Sequence, residues 1–233
     1  YYTAASVNFM EPWFFGKKPT SLNISGYYTR QTNSYYFYQN PDEYFEVYGV
    51  AASLGNRLKW PDNYFVLYHE LSWQAYNLHD WGYNFLFSTG QSNNFSYKVT
   101  LARNSTDQQV FPRQGSDFTF SVQLTPPYSL FRDPNTNYQS MTDQERYRWI
   151  EYHKWTFKGA LYTKIVGDLV LMARAQFGYL GSYNKKWGYS PFEGYQVGGD
   201  GMSGYNTYGS EIIALRGYEN YSLTPRDENG VYN

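Results

Sequence analysis

Phe118-Thr119-Phe120-Ser121-Val122-Gln123-Leu124-Thr125 sets four apolar residues against four small or polar ones in strict alternation. A period of two puts Phe118, Phe120, Val122 and Leu124 on one face of an extended strand and their neighbours on the other. On a helix both sets would be spread around the surface. Phe95 to Ala102 repeats the pattern, with Phe95, Tyr97, Val99 and Leu101 opposing Ser96, Lys98, Thr100 and Ala102. Six further segments have extended character: Thr3 to Phe9, Ser21 to Thr29, Tyr44 to Leu58, Tyr64 to Tyr76, His153 to Thr163 and Leu169 to Gly178. Several lie near the roughly 9 to 11 residues with which a tilted strand crosses a bilayer, and helical periodicity is almost absent.

Charge fixes the phase of two of these segments. In Tyr64 to Tyr76, one phase turns Glu70 toward lipid, while the other exposes Phe65, Leu67, Leu71 and Trp73 with only His69 among them. A charge at the bilayer midplane costs roughly 2 to 4 kcal/mol for Lys or Arg and less for Glu, so the second phase is expected. By the same argument Leu171, Ala173, Ala175 and Phe177 face out while Met172, Arg174 and Gln176 face in. Tyr44 to Leu58 yields no phase.

The connections alternate in length. Short turns fall at Phe15 to Pro19, Lys59 to Asp62, Phe111 to Gly115 and Val166 to Asp168, and long polar stretches at Gln31 to Asp42, Asn77 to Asn94, Tyr128 to Glu151 and Gly181 to Asn233. Short turns on one side and long loops on the other mark an outer-membrane barrel, whose short side is periplasmic and whose long side is extracellular.

Composition agrees. Among 233 residues, 22% are aromatic, including 28 Tyr, 16 Phe and 7 Trp, while only 17% are charged. Such rings populate the girdles at both membrane interfaces. Mean hydropathy is -0.67, and no apolar run reaches the ~18 residues of a transmembrane helix. With 19 Lys+Arg against 20 Asp+Glu there is no basic excess to bind nucleic acid. The absence of Cys removes disulfides and thiolate chemistry. The chain opens on Tyr1-Tyr2-Thr3 without a signal peptide and reads as a piece of something longer.

Nothing in the sequence builds a catalytic centre. His69, His79 and His153 are dispersed, with no metal-ligand or triad spacing, and no phosphate-binding Gly pattern or nucleophile elbow occurs. Asp133, Asn135 and Asn137 imitate the start of a calcium loop, but Tyr138 stands where Gly is needed and Gln144 where the closing Glu belongs. We expect no enzyme, no cofactor and no metal. The inward phases gather Lys98, Lys154, Lys158 and Arg174 on one stretch of lumen wall. They form either a basic patch that holds acidic loop residues or substrate, with Glu193, Asp200, Glu211 and Glu219 as candidate partners, or ordinary water-solvated lumen charge.

The last long stretch carries a motif. Pro191-Phe192-Glu193-Gly194-Tyr195-Gln196-Val197-Gly198-Gly199-Asp200-Gly201 is followed by Leu215-Arg216-Gly217-Tyr218. It resembles the sixth extracellular loop of the BamA family of outer-membrane assembly barrels, in which a P-F-x-x-x-x-x-G-G segment precedes Arg-Gly-[FY]. Glu11-Pro12-Trp13-Phe14-Phe15-Gly16-Lys17-Lys18-Pro19 and Phe111-Pro112-Arg113-Gln114-Gly115-Ser116 resemble the family's strand ending and its periplasmic turn. The resemblance runs over essentially the whole chain. It implies an all-β fold, a transmembrane antiparallel β-barrel of which residues 1–233 supply about eight of sixteen strands, the fourth to the eleventh, plus most of loop six.

In that family the loop folds into the lumen and its Arg pairs with carboxylates of later strands. The resemblance therefore implies that Arg216, Gly217 and Tyr218 form a lock and that Gly198 and Gly199 form its companion segment. A planar guanidinium suits bidentate carboxylate binding where Lys would be a point charge. The periplasmic POTRA domains, the first three and last five strands, the lateral gate and the carboxylates for Arg216 would lie outside the chain.

The implied function is an outer-membrane protein insertase. Its partners would be nascent outer-membrane proteins, outer-membrane lipids and the accessory lipoproteins of the assembly machinery. The insertion between Gly201 and Leu215 and the ring-rich loops depart from the commonest family pattern. Those loops suggest either extra surface-exposed subunits or a lid of loops packed on one another. Rival readings are a TamA-like or two-partner-secretion transporter barrel, a small closed barrel complete in itself, and a soluble glycan-binding β-sandwich.

Overall fold

In a computed structural model, residues 2–16, 20–35, 38–81, 87–132, 140–184, 188, 190–200, 210–220 and 222–224 are described. The calcium-loop imitation at Asp133 to Tyr138 lies outside them, as does most of the insertion between Gly201 and Leu215.

Eight strands follow one another: β1 (Tyr2–Glu11), β2 (Thr20–Tyr35), β3 (Tyr38–Arg57), β4 (Phe65–His79), β5 (Gly90–Asn104), β6 (Gly115–Leu124), β7 (His153–Val166) and β8 (Leu169–Gly181). They form one antiparallel sheet in chain order. Each sequence segment lies in one of them, apart from Leu58, Tyr64 and Thr125, which stand one residue beyond the strand ends. No pairing joins β1 to β8 among the described residues, so the sheet does not close into the small self-contained barrel.

The register carries the face assignments across the sheet. Trp73 pairs with Phe95 and Val50, and Phe157 pairs with Phe120 and Phe177, all on the outer face. Both phases fixed by charge are the observed ones. The unphased strand β3 turns Val47 inward, fully buried, and Val50 outward, 53% exposed. Its outward set includes Glu46, which pairs across strands with Arg30 and Asn77. The Arg30 guanidinium lies 3.3 Å from Glu46 Oε1, Tyr28 Oη and Tyr48 Oη donate to the carboxylate at 3.0 and 3.3 Å, and Asn77 donates at 3.2 Å. A carboxylate with four such partners tolerates a position where an unpaired one would be expelled.

The stretch Gln31 to Asp42, expected as a loop, is largely ladder. The β2 and β3 pairing continues to Tyr35 opposite Tyr38, with a register shift between Thr32 and Asn33. Opposite that shift the β2 register steps on β3 from Tyr44 directly to Asn40. The step passes over Pro41, which has no N–H for a ladder and belongs at a bulge.

Arg103 fastens the short-turn end. Its Nε and Nη2 converge on Asp62 Oδ2 at 3.0 and 2.9 Å, and its Nη1 donates to Ser105 Oγ at 2.8 Å and to Ser116 Oγ. One side chain thus ties the turn after β3 to the strands flanking the turn after β5.

The buried core sits at the opposite, long-loop end, on the inner face. Phe45, Val47, Tyr76 and Leu78 of β3 and β4 meet Trp81, Ile150, Tyr152 and Phe192 from the connections. Between β6 and β7 a single helical turn, α1 (Asp143–Arg146), is closed by a capping box in which Thr142 and Glu145 bond reciprocally. The chain then lies along β5, with Asn93 N–H donating to Arg148 O and Ile150 N–H to Asn93 O, both at 2.8 Å. These contacts deliver Ile150 and Tyr152 into the core, so this part of the long connections forms a lid over the sheet.

Candidate functional site

Period two and the register build the inner wall. Glu70, Lys98, Gln123 and Lys154 stand in one row across β4 to β7, and Lys158 lies farther toward the short-turn end. After β8 the chain turns back onto this wall. There Ser190 to Glu193 precede β9 (Gly194–Val197), which pairs in parallel with β10 (Ser210–Ile213).

Glu193 enters the most enclosed position. Its Oε2 lies 2.9 Å from Lys154 Nζ, both side chains being 6% exposed. Tyr152 Oη donates to Oε1 at 3.2 Å, and Asn94 approaches the same oxygen at 3.5 Å. Around it, Gln123 and Asn94 donate to Tyr152 Oη at 2.7 and 3.2 Å, and Asn94 donates to Gln74 at 3.1 Å. Glu211 of β10 completes the set, 3.0 Å from Lys158 Nζ and 3.7 Å from Lys154 Nζ.

The two carboxyls respond differently. Burial pushes Glu193 above the ordinary carboxylate range, because the charge and hydrogen bond of Lys154 offset only part of the desolvation. Burial also opposes ionisation of Glu211, but the Lys158 hydrogen bond and the charges of Lys154, Lys158 and Lys98 together outweigh it and hold that carboxyl below its usual range.

Aromatic contacts set the loop's position. Phe192 stacks on Tyr76 and meets Phe87 edge-on. Tyr195 lies against Gly178 of β8, where an added Cβ would stand 2.6 Å from its ring. Its hydroxyl sits 2.6 Å from Thr156 Oγ1 and donates to Trp155 O at 2.8 Å, and Lys154 Nζ lies 5.1 Å from the ring centroid. Burial pushes the Tyr195 phenol up to about 12.

Beyond β9, Gly198 and Gly199 adopt φ of 114° and 86°, which favour glycine. They reverse the chain so that Gly199 N–H donates to Tyr218 O at 3.1 Å and Leu215 N–H donates to Gly199 O at 2.9 Å. The Gly-Gly segment and the Arg216-Gly217-Tyr218 turn, separated in sequence, are therefore hydrogen-bonded neighbours. Arg216 and Tyr218 are exposed, and Arg216 pairs with no carboxylate among the described residues.

Of the four predicted wall cations, Lys154 and Lys158 bind loop carboxylates and Lys98 acts on Glu211 through space. Arg174 stands opposite Ala160, nearer the short-turn end than Lys158, and forms no ion pair with a described residue. Glu193 and Glu211 are the acidic partners; Glu219 lies exposed on the turn. Sequence reasoning missed Tyr152, Asn94, Gln74 and Tyr195. The inward phase of β4 already carried Gln74, and that of β5 reaches Asn94 when extended by one residue, whereas nothing in the sequence marked Tyr195 as the ring that seats on Gly178.

A family model described as the Omp85 superfamily domain matches residues 1–232. No curated protein matches. Among solved structures, the crystal structure of BamA from Haemophilus ducreyi lacking POTRA domains 1–3 is similar, with a TM-score of 0.65 and 19% identity over 97% of this chain and 39% of that one. The likeness is one of fold: this antiparallel sheet matches part of that barrel, and the chain spans well under half of its length. Because the family model covers all but the final residue, the chain belongs to the Omp85 superfamily.

Proposed function

We propose that this chain forms part of the wall, together with loop six, of a BamA-like insertase that folds and inserts β-barrel proteins into the bacterial outer membrane. The observation that carries this reading is the course of the last loop. It descends the inner wall through Phe192 and Glu193, turns at Gly198-Gly199 and presents an Arg-Gly-Tyr turn. The work is non-covalent. A client strand is templated through main-chain hydrogen bonds at a sheet edge, the β-augmentation mode, and no cofactor takes part. In this reading the short turns are periplasmic, the long loops extracellular, and the gate, the POTRA domains and the carboxylates for Arg216 belong to the rest of the protein. Its partners are nascent outer-membrane proteins, lipids and accessory lipoproteins, with surface-exposed subunits docking on the ring-rich loops.

Purified full-length protein reconstituted in liposomes should accelerate folding of an unfolded client barrel, and Arg216→Ala should slow it while lowering barrel stability. Wild-type protein that leaves client folding at its spontaneous rate would refute the insertase reading. Export of one dedicated soluble partner instead would identify a two-partner-secretion transporter. An unaffected Arg216→Ala variant would remove the lock role alone.

A further inference from the structure

Loop six is fastened to the wall well before its Arg-Gly-Tyr turn. Lys154 and Lys158 stand four residues apart on the inner face of β7, and each meets a different limb of the loop, Glu193 just before β9 and Glu211 on β10. Because β9 and β10 are hydrogen-bonded in parallel, two neighbouring wall cations hold one small sheet at the entry to β9 and on β10. The Arg216 turn hangs from the far end of that sheet through Gly199 and Tyr218. Its guanidinium contributes nothing to the grip among the described residues.

We propose that Lys154, Lys158, Glu193 and Glu211 form a second anchor that positions loop six independently of Arg216. The consequence for assembly rests on the insertase reading; the anchor itself does not. The four groups are positioning residues. A buried ion pair adds little net stability over an apolar isostere, but removing one member strands the other charge in a poorly solvated place. Lys154 is the shared member, 2.9 Å from Glu193 and 3.7 Å from Glu211. Its loss should therefore be far worse than the loss of Glu193, after which Lys154 still faces Glu211.

Hydrogen exchange at the β9 and β10 amides of the full-length protein, without client, tests this. Lys154→Met should accelerate exchange across Gly194–Val197 by on the order of a hundredfold or more. Lys154→Met combined with Glu193→Gln should largely restore protection, because no uncompensated charge remains at the most enclosed point. Glu193→Gln alone and Arg216→Ala should each leave β9 within severalfold of wild type. Equal protection in Lys154→Met and wild type overturns the anchor, and so does equal release by Arg216→Ala and Lys154→Met. Heat-modifiable gel migration reports whether each barrel has folded. Should Lys154→Met fail to fold, Lys158→Gln, at a half-exposed lysine, provides the second reading. It should speed exchange in β10 severalfold while sparing the Phe192 limb, and no change in β10 overturns the proposal. Failure of the insertase reading would appear separately, in the client-folding assay.

Discussion

The Phe192 ring lies flat on Tyr76, their centroids 4.4 Å apart and their planes within 5°. Both are almost fully buried, so the stack joins loop six to β4 at the long-loop end. Phe192→Ala opens a cavity, and a deleted buried Phe costs about 3 to 5 kcal/mol. Most of that loss should fall on loop docking. The expected result is faster proteolysis of the loop while the barrel keeps its heat-modifiable migration; unchanged proteolysis would show that the ring does not hold the loop.

Arg103→Ala should lower stability by about 1 to 3 kcal/mol, since it removes charge-assisted bonds to Asp62 and bonds to two serines. Arg103→Lys should recover little of it, because an ammonium cannot supply the same planar set of donors. Urea unfolding of the reconstituted barrel measures both variants, and a fully stable lysine variant would show that charge alone suffices.

For the outward Glu46, a double-mutant cycle is decisive. Arg30→Ala leaves a largely buried carboxylate without its cation and should cost more than Arg30→Ala combined with Glu46→Gln. The coupling should be about 1 to 3 kcal/mol. Additive effects would mean that Tyr28, Tyr48 and Asn77 satisfy Glu46 without Arg30.

Acid should separate the two limbs of loop six. Glu211 faces Lys154, Lys158, Lys98 and Glu193, and its folded carboxyl titrates below the ordinary range. Its contribution is therefore present above the ordinary carboxylate pKa and is lost as pH falls through the folded value. Glu193 titrates above the ordinary range, so its contribution has the opposite sign: full below the unfolded pKa and lost as pH rises through the folded one. Rate-corrected hydrogen exchange should show β10 loosening on acidification while the Phe192 limb holds. The β10 response should vanish in Glu211→Gln; its persistence there would assign the acid response to another group.

Much of the wall was legible because alternation survives wherever the two faces meet different solvents. Phe118 to Thr125 could be read unaided, and Glu70 and Arg174 oriented their own strands. The same charge rule yields no phase at β3, where Glu46 points outward. Its compensation comes from Arg30 on one neighbouring strand and Asn77 on the other, pairings invisible until the register is known. The far end of the β2 and β3 hairpin, Gln31 to Asp42, reads as a long loop because it is polar and rich in rings, yet the ladder runs on through it past a register shift. At the candidate site the cations followed from phase and the Arg-Gly-Tyr turn from resemblance. Which carboxylate meets which lysine depends on how the last loop is folded back, and no local spacing encodes that.

The seat of Tyr195 bears on the order of events during folding. Gly178 and Thr156, which receive the ring, are made before the ring is, and the Thr156 contact spans 39 residues. Closing a loop of that length costs little more entropy than closing one half as long, so the Tyr195 seat needs only the β7 and β8 hairpin, whereas Phe192 and Glu193 also reach β4 and β5. Loop six can thus take hold of its own hairpin first and reach the earlier strands afterwards.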